Sequence, residues 1–151
     1  MSEFRIEKIR HNVEITLVTG ERMIGTMFLE PIARNHAGAQ DPRELLNEEG
    51  DFFPLETRGK VILVARDQVK LAKYPVDRGA LTALRTTNAR LILVDGHSLE
   101  GAIIIEARTE ADRLLDHLNH FDGRFLPMLT ANRQTQCLVN RRMIVGVEQE
   151  A

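Results

Sequence analysis

Residues 89–106 read ARLILVDGHSLEGAIIIE, and residues 13–30 read VEITLVTGERMIGTMFLE. With Gly20 set on Gly96 the two stretches run without a gap to Glu30 on Glu106, placing Leu17 on Leu93, Val18 on Val94 and Gly25 on Gly101. Each stretch is an apolar run, a glycine turn and a second apolar run, which is the signal for a β-hairpin. In the first, Val13, Ile15 and Leu17 alternate with Glu14 and Thr16, the pattern of a half-buried strand. Gly20 and Gly96 supply a turn position open to positive φ. Gly25 and Gly101, inside the return strands, predict a bend or bulge in both.

Working outward from the hairpins, the same order continues in each half. Asp41-Pro42-Arg43-Glu44 reads as a helix start, with an N-cap, a proline at the first helical position and an acid at the third. Thr109-Glu110-Ala111-Asp112 is its counterpart, and Ala111, Leu114, Leu115 and Leu118 share one predicted helical face. Phe52-Phe53-Pro54-Leu55 and Phe125-Leu126-Pro127-Met128 follow, as large side chains expected to cap the core under the helix. Val61–Val64 and Gln136–Val139 are strands, each followed by a tight polar turn and a short closing strand, Val69–Leu71 and Ile144–Val147.

The predicted fold is mostly β with some α: two tandem β-β-α-β-β units, packed together as small SH3-like or Sm-like barrels. The first spans residues 1–74, a linker with Pro75 and Gly79 spans 75–88, and the second spans 89–151. A unit of about 60 residues buries a marginal core alone, so the two are expected to support each other. A tandem duplication accounts for the shared order.

Composition narrows the function. The chain has 151 residues, 43% hydrophobic and 28% charged, with a net charge of -2. The charge is spread evenly, so no global basic field attracts nucleic acid or anionic lipid. A lone cysteine, Cys137, precludes an intramolecular disulfide, and its apolar strand makes it a buried thiol rather than a nucleophile. No apolar run approaches the roughly 20 residues that span a bilayer, and the N-terminus lacks a signal-peptide core. The expected location is the cytoplasm, with no membrane contact and no cofactor. Nucleophile elbows, phosphate loops, Cys-x-x-Cys pairs and dinucleotide fingerprints are all missing, so the chain is expected not to be an enzyme.

Two constellations could carry chemistry. His117 and His120 lie three apart on a predicted helix beside Asp116, a spacing that can present two metal ligands on one face. The plain alternative is a solvated polar face. Arg141 and Arg142, with Arg133, could contact phosphate. Their plain alternative is a solvated turn. Base-stacking residues are scarce: there is one Tyr, no Trp, and six Phe at core-like positions. His97 beside Asp95 reads as turn chemistry.

The run Leu91-Ile92-Leu93-Val94-Asp95-Gly96 with Gly101 resembles the first motif of Sm-like proteins. Val139-Asn140-Arg141-Arg142-Met143-Ile144 resembles their second, and Val64–Val69 is a weaker match to the same motif in the first half. The resemblance implies single-stranded RNA binding by a ring built from strand addition, with contacts at Asn140, Arg141 and Arg142, and at Arg66 in the first half. Leu115-Asp116-His117-Leu118-Asn119 with Phe125-Leu126-Pro127 is similar to bacterial domains of unknown function with a repeated Leu-Asp-x-Leu-Asn…Phe-Leu-Pro pattern. The main expectation is a non-enzymatic binding or assembly module with a protein partner, or a homo-oligomer formed through edge strands. The alternatives are an RNA-binding Sm-like protein and a small-molecule or metal-responsive sensor.

Overall fold

The computed structural model of the chain describes residues 7–33, 37–76, 85–105 and 114–150. The chain is mostly β with few helices. Its contacts divide it into two compact units, residues 1–69 and 70–151. Among the described residues no helix is long and apolar enough to cross a membrane.

In the first unit β1 (Ile9–Leu17), β2 (Arg22–Leu29), β3 (Phe52–Thr57) and β4 (Lys60–Ala65) follow one another as antiparallel neighbours. The predicted hairpin is formed: Val13 stands opposite Gly25 and Ile15 opposite Met23. Val13, Ile15, Met27, Leu29, Phe53, Leu55 and Val64 are buried, following the period of two expected of strands with one face inward. Helix α1 (Pro42–Leu46) begins as its sequence predicts. The Asp41 carboxylate accepts from the Glu44 N–H at 2.8 Å, and the Glu44 carboxylate accepts from the Asp41 N–H at 3.2 Å. This reciprocal pair satisfies donors that a helix start leaves open.

The second unit orders its strands as β10 (Ile144–Gln149), β6 (Arg85–Leu93), β7 (Ser98–Ile105), β8 (Phe125–Thr130), β9 (Thr135–Asn140) and β5 (Val69–Pro75), each pair antiparallel. Helix α2 (Leu114–His120) lies between β7 and β8 in sequence. Leu71, Leu91, Leu93, Ile103, Leu126, Met128, Cys137 and Val139 form its core, with Leu118 and Phe121 packed against it. Leu114 is buried, whereas Leu115, predicted on the same apolar face, is 63% exposed. The predicted helix start at residues 109–112 lies outside the described residues.

Two expectations are corrected. The sheet is not closed, so the barrels are not formed. β9 and β10 are consecutive, but the 3-10 turn Arg141–Met143 between them sends β10 onto β6, and β9 takes β5 as its second neighbour. Among the described residues β4 and β10 each have one hydrogen-bonded neighbour. The Phe-x-Pro segments, expected only to cap the core under the helix, are themselves strands, β3 and β8, with Phe53, Leu55, Leu126 and Met128 buried. Proline is tolerated there because the β2–β3 ladder ends at Leu55, one residue short of Pro54, and the β7–β8 ladder ends at Met128, one short of Pro127.

Gly20 and Gly96 have φ of 93° and 90°, as their turns require. Gly25 and Gly101 make no bulge, because the register runs evenly past both. A neighbouring strand passes close by instead. A Cβ on Gly25 would lie 2.7 Å from the Glu56 carbonyl oxygen, and one on Gly101 would lie 2.2 Å from that of Leu129. Turn bonds also correspond between the units: Gly20 donates to Leu17 and Gly96 to Leu93, while Val18 donates to Gln68 and Val94 to Met143.

Candidate functional site

Of the five predicted phosphate-contacting residues, Arg66 and Asn140 are buried, and Arg141 is exposed but hydrogen-bonded within the chain. Arg66 is 2% exposed. Its Nη1 donates to the carbonyls of Gly50 at 3.0 Å and Phe52 at 2.8 Å, its Nη2 donates to that of Leu45 at 2.9 Å, and its guanidinium sits 5.6 Å from the Phe53 ring centroid. Leu45 lies at the end of α1, where carbonyls lack helical partners, and a planar cation with several donors can serve it together with Gly50 and Phe52. RNA cannot reach this guanidinium.

Asn140 is also buried, and its side-chain oxygen accepts from the Arg142 N–H at 3.0 Å, capping the 3-10 turn. Arg141 donates to the carbonyls of Phe121 and Gly123 and lies 5.8 Å from the Phe121 ring, tying the segment after α2 to the turn. The backbone N–H of Arg66 bonds to the Asp51 carbonyl, and that of Arg141 to the Arg124 carbonyl. The two arginines therefore do comparable work.

Arg142 is exposed. Arg133 occupies the β8–β9 turn with φ of 58°, and its Nη1 donates to Thr86 Oγ1 at 3.4 Å. Arg133 and Arg142 bracket β9, whose six residues span about 20 Å, so the sequence's three-arginine cluster is not assembled.

His117 and His120 lie on α2 as predicted, with Asp116 beside them. His120 Nδ1 sits 2.7 Å from the Asp116 carbonyl oxygen, and the His117 ring packs 5.8 Å from that of Phe121. The contact that Asp116 makes with His120 is through its backbone, not its carboxylate. Among the described residues no group of three His, Cys, Asp or Glu side chains is placed to hold a metal ion.

A polar cluster that the sequence does not announce stands in the second unit. Lys70 on β5 is nearly buried, and its Nζ lies 2.5 Å from Asp95 Oδ2 and 3.1 Å from His97 Nδ1. Asp95 also accepts from the His97 N–H at 3.0 Å. The hydrogen bond from Lys70, and after it the His97 N–H, hold the Asp95 carboxyl well below the usual carboxylate range. Asp95 thus neutralises a lysine that strand β5 carries inward. The separation of 25 residues hid the pairing from the sequence.

An exposed apolar surface lies on β3 and β4. Phe52, Val61 and Leu63 are 60%, 58% and 67% exposed. Paired positions place Phe52 opposite Ala65, Pro54 opposite Leu63 and Glu56 opposite Val61, so these side chains share the face opposite Phe53, Leu55 and Val64. At the corresponding positions in the second unit, Phe125 and Leu138 are fully buried. β9 there is an interior strand, paired on both sides by β8 and β5. Among the described residues β4 pairs with β3 alone, over an unbroken register from Phe52–Ala65 to Thr57–Lys60. It contains no proline and no bulge, and Lys60 at its start is its only charge, so the usual protections of an edge are thin.

Comparison of the chain with known protein families, with curated proteins and with solved structures finds no match.

Proposed function

We propose that this chain is a non-enzymatic association module, descended from a tandem duplication of a small Sm-like β unit, which holds a protein partner by strand addition along β4. The observation that carries this reading is the contrast between β4 and β9. The exposed backbone and the apolar side chains Phe52, Val61 and Leu63 lie on one edge strand and its neighbour, while Phe125 and Leu138, the counterparts of Phe52 and Leu63, are buried beside the interior strand β9. Main-chain hydrogen bonds would supply affinity and the alternating side chains specificity. Burying most of three large apolar side chains contributes several kcal/mol, at about 1.5–3 kcal/mol each.

Size-exclusion chromatography with light scattering, run on the purified chain and on the chain added to native extract, tests this. The expected result is a species heavier than the 17.1 kDa chain that carries protein, and that is lost in Val61→Lys with Leu63→Lys. A single chain under both conditions, or a species indifferent to the double substitution, overturns it.

The second reading is an Sm-like RNA-binding protein, favoured by the exposed Arg142 on the β9–β10 turn. Salt-dependent binding of single-stranded RNA, weakened by Arg142→Ala, would support it. Binding absent at low salt removes it.

A further inference from the structure

The partner of β4 can be read from the chain itself. This step rests on the association surface proposed above. β9 shows how such a strand is covered: β5 runs antiparallel to it with Leu71 opposite Val139, Ala72 opposite Leu138, Lys73 opposite Cys137, Tyr74 opposite Gln136 and Pro75 opposite Thr135. The segment 60–75 corresponds to 135–150 at a constant offset of 75, with the 3-10 turn Arg66–Gln68 on Arg141–Met143. β4 therefore corresponds to β9, and β10 to β5. Among the described residues β10 has an open edge of its own, since it pairs with β6 alone.

From these observations we infer that β4 of one copy of this chain receives β10 of a second copy, in the register that β9 and β5 already display. Adding 75 to each β5 position, and subtracting it from each β9 position, puts Gly146 opposite Val64, Val147 opposite Leu63, Glu148 opposite Ile62, Gln149 opposite Val61 and Glu150 opposite Lys60. The last pair joins the only charge on β4 to an exposed carboxylate of opposite sign. The β10 register shift falls between Ile144 and Gly146, so the five residues needed for pairing lie beyond it. An acid opposite Ile62 has a precedent of opposite sign in Lys73 opposite the buried Cys137.

The contact is heterologous. Each copy offers one receiving edge and one donated edge, and the two differ, so copies join head to tail. A pairing of β4 with β4 would instead be self-complementary. The two arrangements predict different cross-links.

Two variants of the full chain, Val61→Cys and Gln149→Cys, introduce thiols at exposed positions that the register sets opposite each other, close enough for a disulfide. The buried Cys137 stays in place. Under mild oxidation by oxidised glutathione, the mixture is expected to give a linked dimer at least tenfold faster than either variant alone, or than Val61→Cys mixed with Glu21→Cys. Light scattering of the wild type should give a mass that rises with concentration. Lys60→Glu should weaken the association about fivefold, and mixing it with Glu150→Lys should recover it.

Linking of Val61→Cys with itself as fast as with Gln149→Cys overturns the head-to-tail register. A wild type that stays a single chain at millimolar concentration overturns self-association. If that chain still forms a β4-dependent heavier species in extract, the association surface stands and only the identity of its partner fails. If neither occurs, both readings fail.

Discussion

Replacing Arg66 separates a structural from a nucleic-acid role, and its size follows from the geometry. The guanidinium donates three hydrogen bonds to the carbonyls of Leu45, Gly50 and Phe52, between 2.8 and 3.0 Å. Hydrogen bonds to a charged group contribute about 1.5–3 kcal/mol each. A simple sum exceeds what one substitution is expected to cost, because the terms share one desolvation penalty. The Leu45 carbonyl also keeps the Glu48 N–H at 3.3 Å, which lessens its loss. Glu48 itself, 3.8 Å away and half exposed, adds little. The expected destabilisation for Arg66→Ala is about 3–5 kcal/mol, a large part of the stability of a typical domain. Arg66→Lys should recover only part of this, because an ammonium cannot reach three carbonyls in a planar fork. Urea unfolding followed by circular dichroism measures both, with the midpoint moving while the slope is unchanged. If Arg66→Ala lies within about 1 kcal/mol of the wild type, the three carbonyls find other donors and the clamp is not what holds α1 to β3.

The close strand approaches predict an order of severity: Gly101→Ala should cost about 3 kcal/mol and Gly25→Ala about 2 kcal/mol, since both added methyls meet backbone but the first meets it closer. Thermal unfolding checks it, and equal or negligible shifts would show that the neighbouring strands move aside at little cost. The depressed Asp95 carboxyl contributes stability that is present above its unfolded value near pH 4 and is lost as the pH falls through its lower folded value. Asp95→Asn should therefore flatten the acid limb of stability measured between pH 5 and pH 2, whereas parallel curves would show that Lys70 gains nothing from it. Asp41→Ala removes the reciprocal cap of α1 and should cost about 1 kcal/mol in urea unfolding, an effect that Asp41→Asn should largely spare.

Legibility in the sequence follows contact range. Both hairpins could be read because alternation, turn glycine and return strand lie within 20 residues. The start of α1 could be read because a capping box is written in four. β3 and β8 were hidden by Pro54 and Pro127, whose presence argues against a strand until the ladders are seen to stop beside them. Arg66 and Arg142 occupy similar polar turns in the sequence, and only packing shows one to be buried and the other exposed.

The residues alone established a mostly β chain, the turns at Gly20 and Gly96, and the burial of Cys137, because each depends on neighbours along the backbone. Tertiary structure decided which strand lies beside which. It gave β5 to β9, left β4 with one neighbour among the described residues, and set Lys70 against Asp95. Those outcomes depend on hydrogen bonds and charges that meet across tens of residues, where backbone groups carry no side-chain code for their partners.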